Sequence, residues 1–465
     1  MRSNLTEFKL SEIVELVIDN RGRNPSGYSD SGIPVIDNYL ITSEGEPDLS
    51  KVKRYISQDI YNSFIRKYNQ PDDVLLTLVG NGYGKVAISP QEQCIIIQNT
   101  IGLRVKDGFD NNFLYYLLKG NKGSLTNLNR GAAQPSIKVG DVLNLGFKFP
   151  SYEQQKYIGN TLNLLDKKIH KNQQTNQTLE QVAQTLFKSW FVDFDPVFDN
   201  LLAKLDFDLT KLPNDFPEAL QKRAQKRLLV LNSEVGAVTK INAKSSLKNS
   251  LENDSSTNVS KEPTNDTAVN IHKHFPSEFE HNEELEWIPK GWCLEKVSNY
   301  CDKVQNGGTP KRSEDSYWTD GTIPWLTSGE IRQSIIVQVK NKITEIGLSK
   351  SSAKWVPKFS TLVALYGATA GEVSINSLEL TTNQAVCALI PTVGYSWFNY
   401  LSIARKVSEF QNKAVGSAQQ NISKGLVENT ELLYPNSECI IALNDYVEVM
   451  FSKRIKNVQE ISTLS

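Results

Sequence analysis

Apolar positions fall into two styles along the chain. Short β-branched runs such as VLLTLV (74–79) and CIIIQ (94–98) sit between Gly, Asn and Asp residues, the pattern of short strands joined by tight turns, whereas FLYYLLKG (113–120) has helical spacing. After Pro150 the style changes. From Ser151 to Trp190 there is no Pro and no Gly beyond Gly159, and Ile158, Leu162, Leu165, Ile169, Leu179, Ala183, Leu186 and Trp190 step by three and four. Asn172 and Asn176 fill the seam positions between them. This predicts a long helix with a coiled-coil face and a polar break that fixes register.

A second seam follows Pro435, through Ile440, Leu443, Val447, Met450, Asn457, Ile461 and Leu464. Two such seams are expected to meet each other; the alternative, in which each helix packs on its own domain, stays open.

The order of motifs repeats. VLLTLVGNGYGKVAI (74–88), IIQNTIGL (96–103), GAAQPSI (131–137) and FKFP (147–150) return as TLVALYGATAGEVSI (361–375), TTNQAVCAL (381–389), GSAQQNI (416–422) and LLYP (432–435). Gly80 and Gly84 match Gly367 and Gly371 at an offset of 287, and Gly131, Gln134, Ile137 and Pro150 match Gly416, Gln419, Ile422 and Pro435 at 285. SGIPVI (31–36) likewise parallels DGTIPWLT (320–327). Each unit is about 150 residues, an ordinary domain size.

The expected architecture is α+β, with two repeated domains separated by two long, antiparallel coiled-coil helices. The boundaries read 1–150 and 286–435 for the domains, 151–196 and 436–465 for the helices, and 197–285 for a connector. Within the connector, about 235–285 is a low-complexity linker rich in Ser, Asn, Thr and Lys.

Composition narrows the function. With 465 residues, 39% hydrophobic and 22% charged, the chain is an ordinary globular protein of two or three domains. The absence of a long apolar run leads to the expectation of a cytoplasmic protein without membrane attachment. The five cysteines form no CxxC pair and read as reduced core residues. A formal net charge of −1 counts against a free-standing DNA binder, so any DNA affinity is expected to be local or borrowed from a partner.

Catalytic chemistry finds no footing. The four histidines are His170 on the first helix and His272, His274 and His281 in the linker, so neither repeat holds a His-based triad or zinc site, and the linker histidines read as solvated. GNGYGKV (80–86) is one residue short of a phosphate-binding loop, has Val86 where magnesium needs Ser or Thr, and exchanges Lys85 for Glu372 in its repeat. LVGNG (78–82) and DPVF (195–198) each lack a residue of an amino-methyltransferase site, and no Glu-x-Lys follows Pro71 and Asp72 for a nuclease. No catalytic and no metal-binding residues are expected.

The chain resembles the specificity subunits of Type I restriction-modification systems. The likeness rests on LEQVAQTLFKSWFVDFDPVFDN (179–200), EWIPKGW (286–292), QNGGTPKRSEDSYW (305–318) and GTIPWLTSGEI (321–331), with GATAGEVSI and GSAQQNIS. It implies two target-recognition domains that each read half of a split site in double-stranded DNA. It also implies helices that dock two modification (methyltransferase) subunits, with restriction subunits in the full complex. No cofactor is expected in this chain: S-adenosylmethionine would lie in the modification subunit, ATP and magnesium in the restriction subunit. The second helix ends level with Glu180, so nothing in the second half matches LFKSWFVDFDPV.

Base edges are read by Arg, Lys, Asn and Gln on loops. The candidates are Arg21, Arg23, Asn81, Tyr83, Lys85, Arg130 and Gln134 in the first unit, and Asn306, Thr309, Lys311, Arg312, Gln419 and Gln420 in the second. Arg21, Arg23 and Arg130 are favoured over Gln134 and Gln419, because two halves that read different sequences must differ where they touch bases. A helix of about 39 residues spans roughly 58 Å, enough to hold readers about one duplex turn, roughly 34–36 Å, apart. The competing readings are a self-sufficient DNA-binding repressor and a coiled-coil scaffold.

Overall fold

The computed structural model describes residues 5–22, 25, 27–80, 82–129, 135–233, 271–415 and 421–464. The chain divides into two compact units, residues 1–171 and 172–463.

In the first unit, a four-stranded sheet has the order Val14–Ile18, Thr100–Val105, Val74–Thr77, Val86–Ile88. All its pairings are antiparallel. A second sheet centres on Ile33–Ile36, which runs antiparallel to Tyr55–Ile56 and parallel to Ile95–Ile96. Thr6–Lys9 pairs with Gly146–Phe149 and so ties the two ends of the domain together. One face of the larger sheet packs on the helix Asn111–Gly120, whose first turn is capped by the Asp110 carboxylate accepting from Phe113 N at 2.8 Å. The other contributes Ile18, Leu75 and Ala87 to a separate core with Ile36, Leu40 and Ile96. Burial on both faces is why VLLT and VAI are continuous apolar runs rather than alternating ones.

The second unit builds the same frame from the repeated sequence. Cys301–Asn306, Val386–Pro391, Thr361–Ala364 and Val373–Asn376 lie in the corresponding order, extended by Ile335–Ile336. Ile323–Leu326 runs antiparallel to Asn341–Ile343 and parallel to Leu380–Thr382, and Cys293–Lys296 closes against Glu431–Tyr434.

The predicted long helices are Tyr152–Phe191, 40 residues, and Ser437–Leu464, 28 residues. Within the second unit they run antiparallel, joined by polar seam residues. Asn172 Nδ2 donates to Glu460 Oε2 at 2.8 Å, Asn457 Nδ2 donates to Asn176 Oδ1 at 2.9 Å, and Arg454 pairs with Glu180. Because each partner is a specific hydrogen-bonding group, sliding either helix by one turn breaks all three contacts at once, which is how a polar layer sets register. Burial lowers the Arg454 guanidinium to about 10, while Ser334 Oγ at 2.7 Å accepts one of its bonds.

Each helix also packs on its own domain, so the two expectations for the seams are both met, over different lengths. Ile440, Leu443, Val447 and Phe451 join the core of the second unit. In the first unit, Gln155 is buried and accepts from Asp110 N at 3.2 Å, and Asp166 accepts from Tyr116 and Lys119, both at 2.9 Å. Ile158, a predicted seam position, is 37% exposed.

Between the helices, the second unit gains a covering layer. Helices Asp195–Lys204 and Glu218–Leu231 are clamped by Arg227, whose Nε and Nη2 donate to the Asp199 carboxylate at 2.7 and 2.8 Å. Residues 234–270 of the linker lie outside the described residues. The layer resumes at Ile271, where the sequence had suggested linker as far as 285. His272 is 4% exposed and its carbonyl accepts from Asn200 Nδ2 at 2.8 Å, which corrects its reading as a solvated histidine. The low-complexity composition around it concealed a segment whose buried contacts come from residues seventy positions away.

Candidate nucleic-acid interface

The repeated glycine turn is closed by the same four backbone bonds in each unit. In the first, Thr77 N meets Lys85 O (2.9 Å), Gly84 N meets Thr77 O (2.8 Å), Tyr83 N meets Gly80 O (3.0 Å) and Lys85 N meets Gly82 O (3.1 Å). In the second, Ala364 N meets Glu372 O (2.9 Å), Gly371 N meets Ala364 O (2.8 Å), Ala370 N meets Gly367 O (2.9 Å) and Glu372 N meets Thr369 O (2.9 Å). Gly84 and Gly371 have φ of 76° and 87°, where an L side chain is strained, so the expectation that these glycines shape a turn is met.

Three further segments converge on each turn. An isolated bridge joins Val79 to Ser136 in one unit and Tyr366 to Asn421 in the other. Leu78 N donates to Asn99 O, and Leu365 N to Ala385 O, both at 2.8 Å. The loop after the second sheet's central strand adds Asn38, whose Nδ2 donates to Val79 O (2.8 Å) and whose Oδ1 accepts from Thr100 (3.0 Å). In the second unit Ser328 O accepts from Thr369 Oγ1 at 3.0 Å. Each unit thus gathers four loops at one end of its sheet, the arrangement in which a rigid scaffold presents variable side chains to a ligand.

The sequence candidates divide. Arg23, Asn81, Arg130, Gln134, Gln419 and Gln420 lie outside the described residues. Tyr83 and Lys85 are half-buried in the glycine turn. Arg21 is held by its neighbour: Nε and Nη2 donate to Asp19 Oδ1 and Oδ2 at 2.9 and 2.7 Å. Burial pushes the Asp19 carboxyl up, but the hydrogen bonds and charge of Arg21 outweigh it and leave the group below its ordinary range. A guanidinium occupied in this way must release Asp19 before it can fork onto guanine.

In the second unit the candidates come together. Thr309 Oγ1 donates to Gln384 Oε1 at 2.6 Å and Asn306 Nδ2 to Gln384 O at 3.3 Å, so both brace a loop. Gly307 lets that loop pass, since a Cβ there would lie 1.9 Å from Thr382 O. The exposed Lys311 offers its carbonyl to Trp318 Nε1 at 3.1 Å. Arg312 stacks on the same indole, 3.8 Å from the ring centroid, and lies 4.7 Å from that of Trp325. Among the described residues no carboxylate pairs with it. Its planar fork is therefore oriented by aromatic contact while its N–H edges remain available. With Trp318, Asp315, Lys340 and Lys342 it lines a cleft of about 460 Å³.

The sequence reading missed Gln384, Trp318, Lys340 and Lys342. Gln384 is matched to Gln98 by the strand registers Thr77 with Thr100 and Ala364 with Val386, an offset of 286 that lies between the two read from the sequence. The lysines had no signal in the sequence: Asn341–Ile343 is an edge strand, and only the fold brings it beside Arg312.

The Type I restriction modification DNA specificity domain family matches residues 2–181 and 289–442. The chain belongs to this family. Each of its matched segments, read as a DNA specificity domain, contains one set of the four converging loops. The Type I restriction enzyme HindI specificity subunit of Haemophilus influenzae is 28% identical over 76% of this chain and 74% of that protein. The MjaIX specificity subunit of Methanocaldococcus jannaschii is 20% identical over 92% and 80%. Among solved structures, the Type-I restriction-modification system S subunit from M. genitalium superposes with a TM-score of 0.59 at 13% identity, over all of this chain and 93% of that one, a likeness of fold.

Among the described residues of this specificity-domain chain, no group of three His, Cys, Asp or Glu could hold a metal ion, and no helix is long and apolar enough to cross a membrane.

Proposed function

We propose that this chain is the DNA-recognition subunit of a Type I restriction-modification enzyme, in which each unit reads one half of a bipartite site. The observation that carries the reading is the duplicated frame: one backbone scaffold, built twice, carrying side chains that differ between the copies. Lys85 against Glu372 within the glycine turn, and paired Arg21 against stacked Arg312, are differences of the kind two unlike half-sites require.

The chain supplies no chemistry in this proposal. Two modification subunits would bring S-adenosylmethionine, and restriction subunits ATP and magnesium, in the cytoplasm. The resulting specificity multiplies two modest discriminations through tethering, so neither unit has to bind tightly alone.

The test is methylation mapping in a host that carries the chain and its partner subunits. Arg312→Ala should relax or change one half of the methylated sequence and leave the other half and the spacer untouched. A change in both halves, or methyl transfer by the purified chain alone, would overturn the proposal.

A further inference from the structure

The two units differ in how they finish one groove. The strand pairings Thr6 with Phe149 and Cys293 with Tyr434 align the start of each domain, and the helices after Pro150 and Pro435 align its end. Between these elements, Leu5, Phe113, Tyr157 and Ile158 of the first unit correspond to Trp292, Phe398, Ala442 and Leu443 of the second.

In the second unit this groove is filled. Phe191 lies 5.8 Å from Trp292 and 5.2 Å from Phe398, and Phe187 lies 5.6 Å from Phe398, ring centre to ring centre. Trp190 completes the plug against Phe275 and Tyr446. The walls are consequently dry: Trp292 is 3%, Ala442 8% and Leu443 0% exposed.

In the first unit three of the four positions stand open, while Phe113 forms the buried floor at 8% exposed. Leu5 is 52%, Tyr157 74% and Ile158 37% exposed, and with Phe113, Lys148, Pro150 and Gln154 they line an apolar cleft of about 340 Å³. The chain's own plug is engaged elsewhere, since Phe187, Trp190 and Phe191 are all at most 5% exposed in the second unit.

We infer that the open groove of the first unit is a docking site for an amphipathic helix of a partner chain, with aromatic residues at the i, i+3 and i+4 spacing of Phe187, Trp190 and Phe191. The occupied groove supplies the chemistry of the ligand: rings at that spacing fit this pair of walls. One difference adds selectivity. Lys148 stands where the second unit has Leu433, so the incoming helix carries a carboxylate beside its aromatic stripe. A second copy of this chain is disfavoured, because it would have to unpack its own plug. The inference is independent of which bases the loops read.

The experiment uses the full chain and a fluorescein-labelled peptide of residues 179–200, followed by anisotropy. Saturable binding is expected, weakened at least tenfold by Ile158→Asp or Tyr157→Ser and unchanged by Val393→Asp, a substitution at a fully solvated site. A peptide with Phe187, Trp190 and Phe191 replaced by Ala should not bind. Both groove positions are exposed, so the variants are expected to fold, which circular dichroism checks. Absence of saturable binding, or binding indifferent to Ile158→Asp, overturns the inference. So does a concentration-dependent dimer in sedimentation velocity that Ile158→Asp abolishes, since the occupant is then a second copy.

Discussion

The first unit is a bare frame, whereas the second carries the same frame under an added layer of residues 183–233 and 271–292. The strand order, the glycine turn and its four backbone bonds recur, so they answer to folding rather than to a ligand. What differs is side-chain chemistry. Arg21, Arg54 and Arg104 of the first unit are each locked onto an aspartate, Asp19, Asp37 and Asp73 respectively. Arg312 of the second rests on indole rings instead. A duplicated scaffold separates what must be kept from what can be varied, and the arginines fall on the variable side.

The sharpest way to break the comparison is to remove the added layer while leaving both frames intact. Asp199 is 1% exposed at its side chain and is the bidentate partner of Arg227. Asp199→Ala leaves the largely buried Arg227 guanidinium with the longer contact to Asp195 at 3.5 Å as its remaining ion pair, so the cost stays below the roughly 3–5 kcal/mol of a wholly uncompensated buried charge. Hydrogen exchange should show that loss in the second unit, while amides of Val74–Thr77 and Thr100–Val105 keep their protection. Equal loss in both units would show that the layer is no separate feature of the second.

The next effect concerns DNA. In the assembled complex, Arg312→Ala should weaken binding to the specific site by about 1–3 kcal/mol if the guanidinium reads a base, with an unchanged salt slope; if it meets a phosphate, all sequences weaken and the slope falls by about one. Arg21→Ala should do less, because freeing the Arg21 fork costs the pair with Asp19. Titrating affinity against salt for both variants ranks them, and a larger loss for Arg21→Ala would invert the comparison.

A smaller difference is expected between the two glycine turns. Alanine at either position is strained by about 1–2 kcal/mol from positive φ alone. At Gly371 the new Cβ would also lie 2.9 Å from Gln411 N, a backbone atom, whereas at Gly84 the nearest atom is the Thr126 methyl at 3.1 Å, which can move. Thermal melts should therefore place Gly371→Ala below Gly84→Ala.

These contrasts also mark how far the sequence could be read. The repeat, the α+β frame and the polar seam were legible because each is a periodic or duplicated pattern, and Asn176 and Asn457 meet where the seams put them, whereas Asn172 bonds Glu460, a residue off the predicted seam. The state of individual side chains was not legible. That Arg21 is occupied depends on its guanidinium turning back two residues onto Asp19, and that His272 is buried depends on Asn200, seventy-two positions earlier. Ile158 fits the heptad spacing, yet it is exposed because spacing fixes a face of a helix and only the fold decides what covers it. Lys340 and Lys342 reach the Arg312 cleft through strand pairing alone.

The smallest expected effect tests the outer edge of the added layer. Glu278 accepts from Lys204 and from Lys290, both at 2.7 Å, and so ties the helix Asp195–Lys204 to the hairpin Phe279–Pro289. The hydrogen bonds and charges of the two lysines hold its carboxyl down to about 2, from an ordinary 4.5. A folded-state value depressed in this way means that the clip stabilises the layer above about pH 4.5 and is lost as pH falls through about 2. All three groups are largely solvated, so the contribution is modest and weakens with salt. Glu278→Gln should lower the melting temperature slightly at pH 6 in low salt, and the gap to the parent should close toward pH 2 or in high salt. A carboxyl titration by nuclear magnetic resonance with its midpoint near 4.5 would show that the two lysines do not grip the edge of the layer, and that the layer is held by Asp199 and its buried aromatic rings alone.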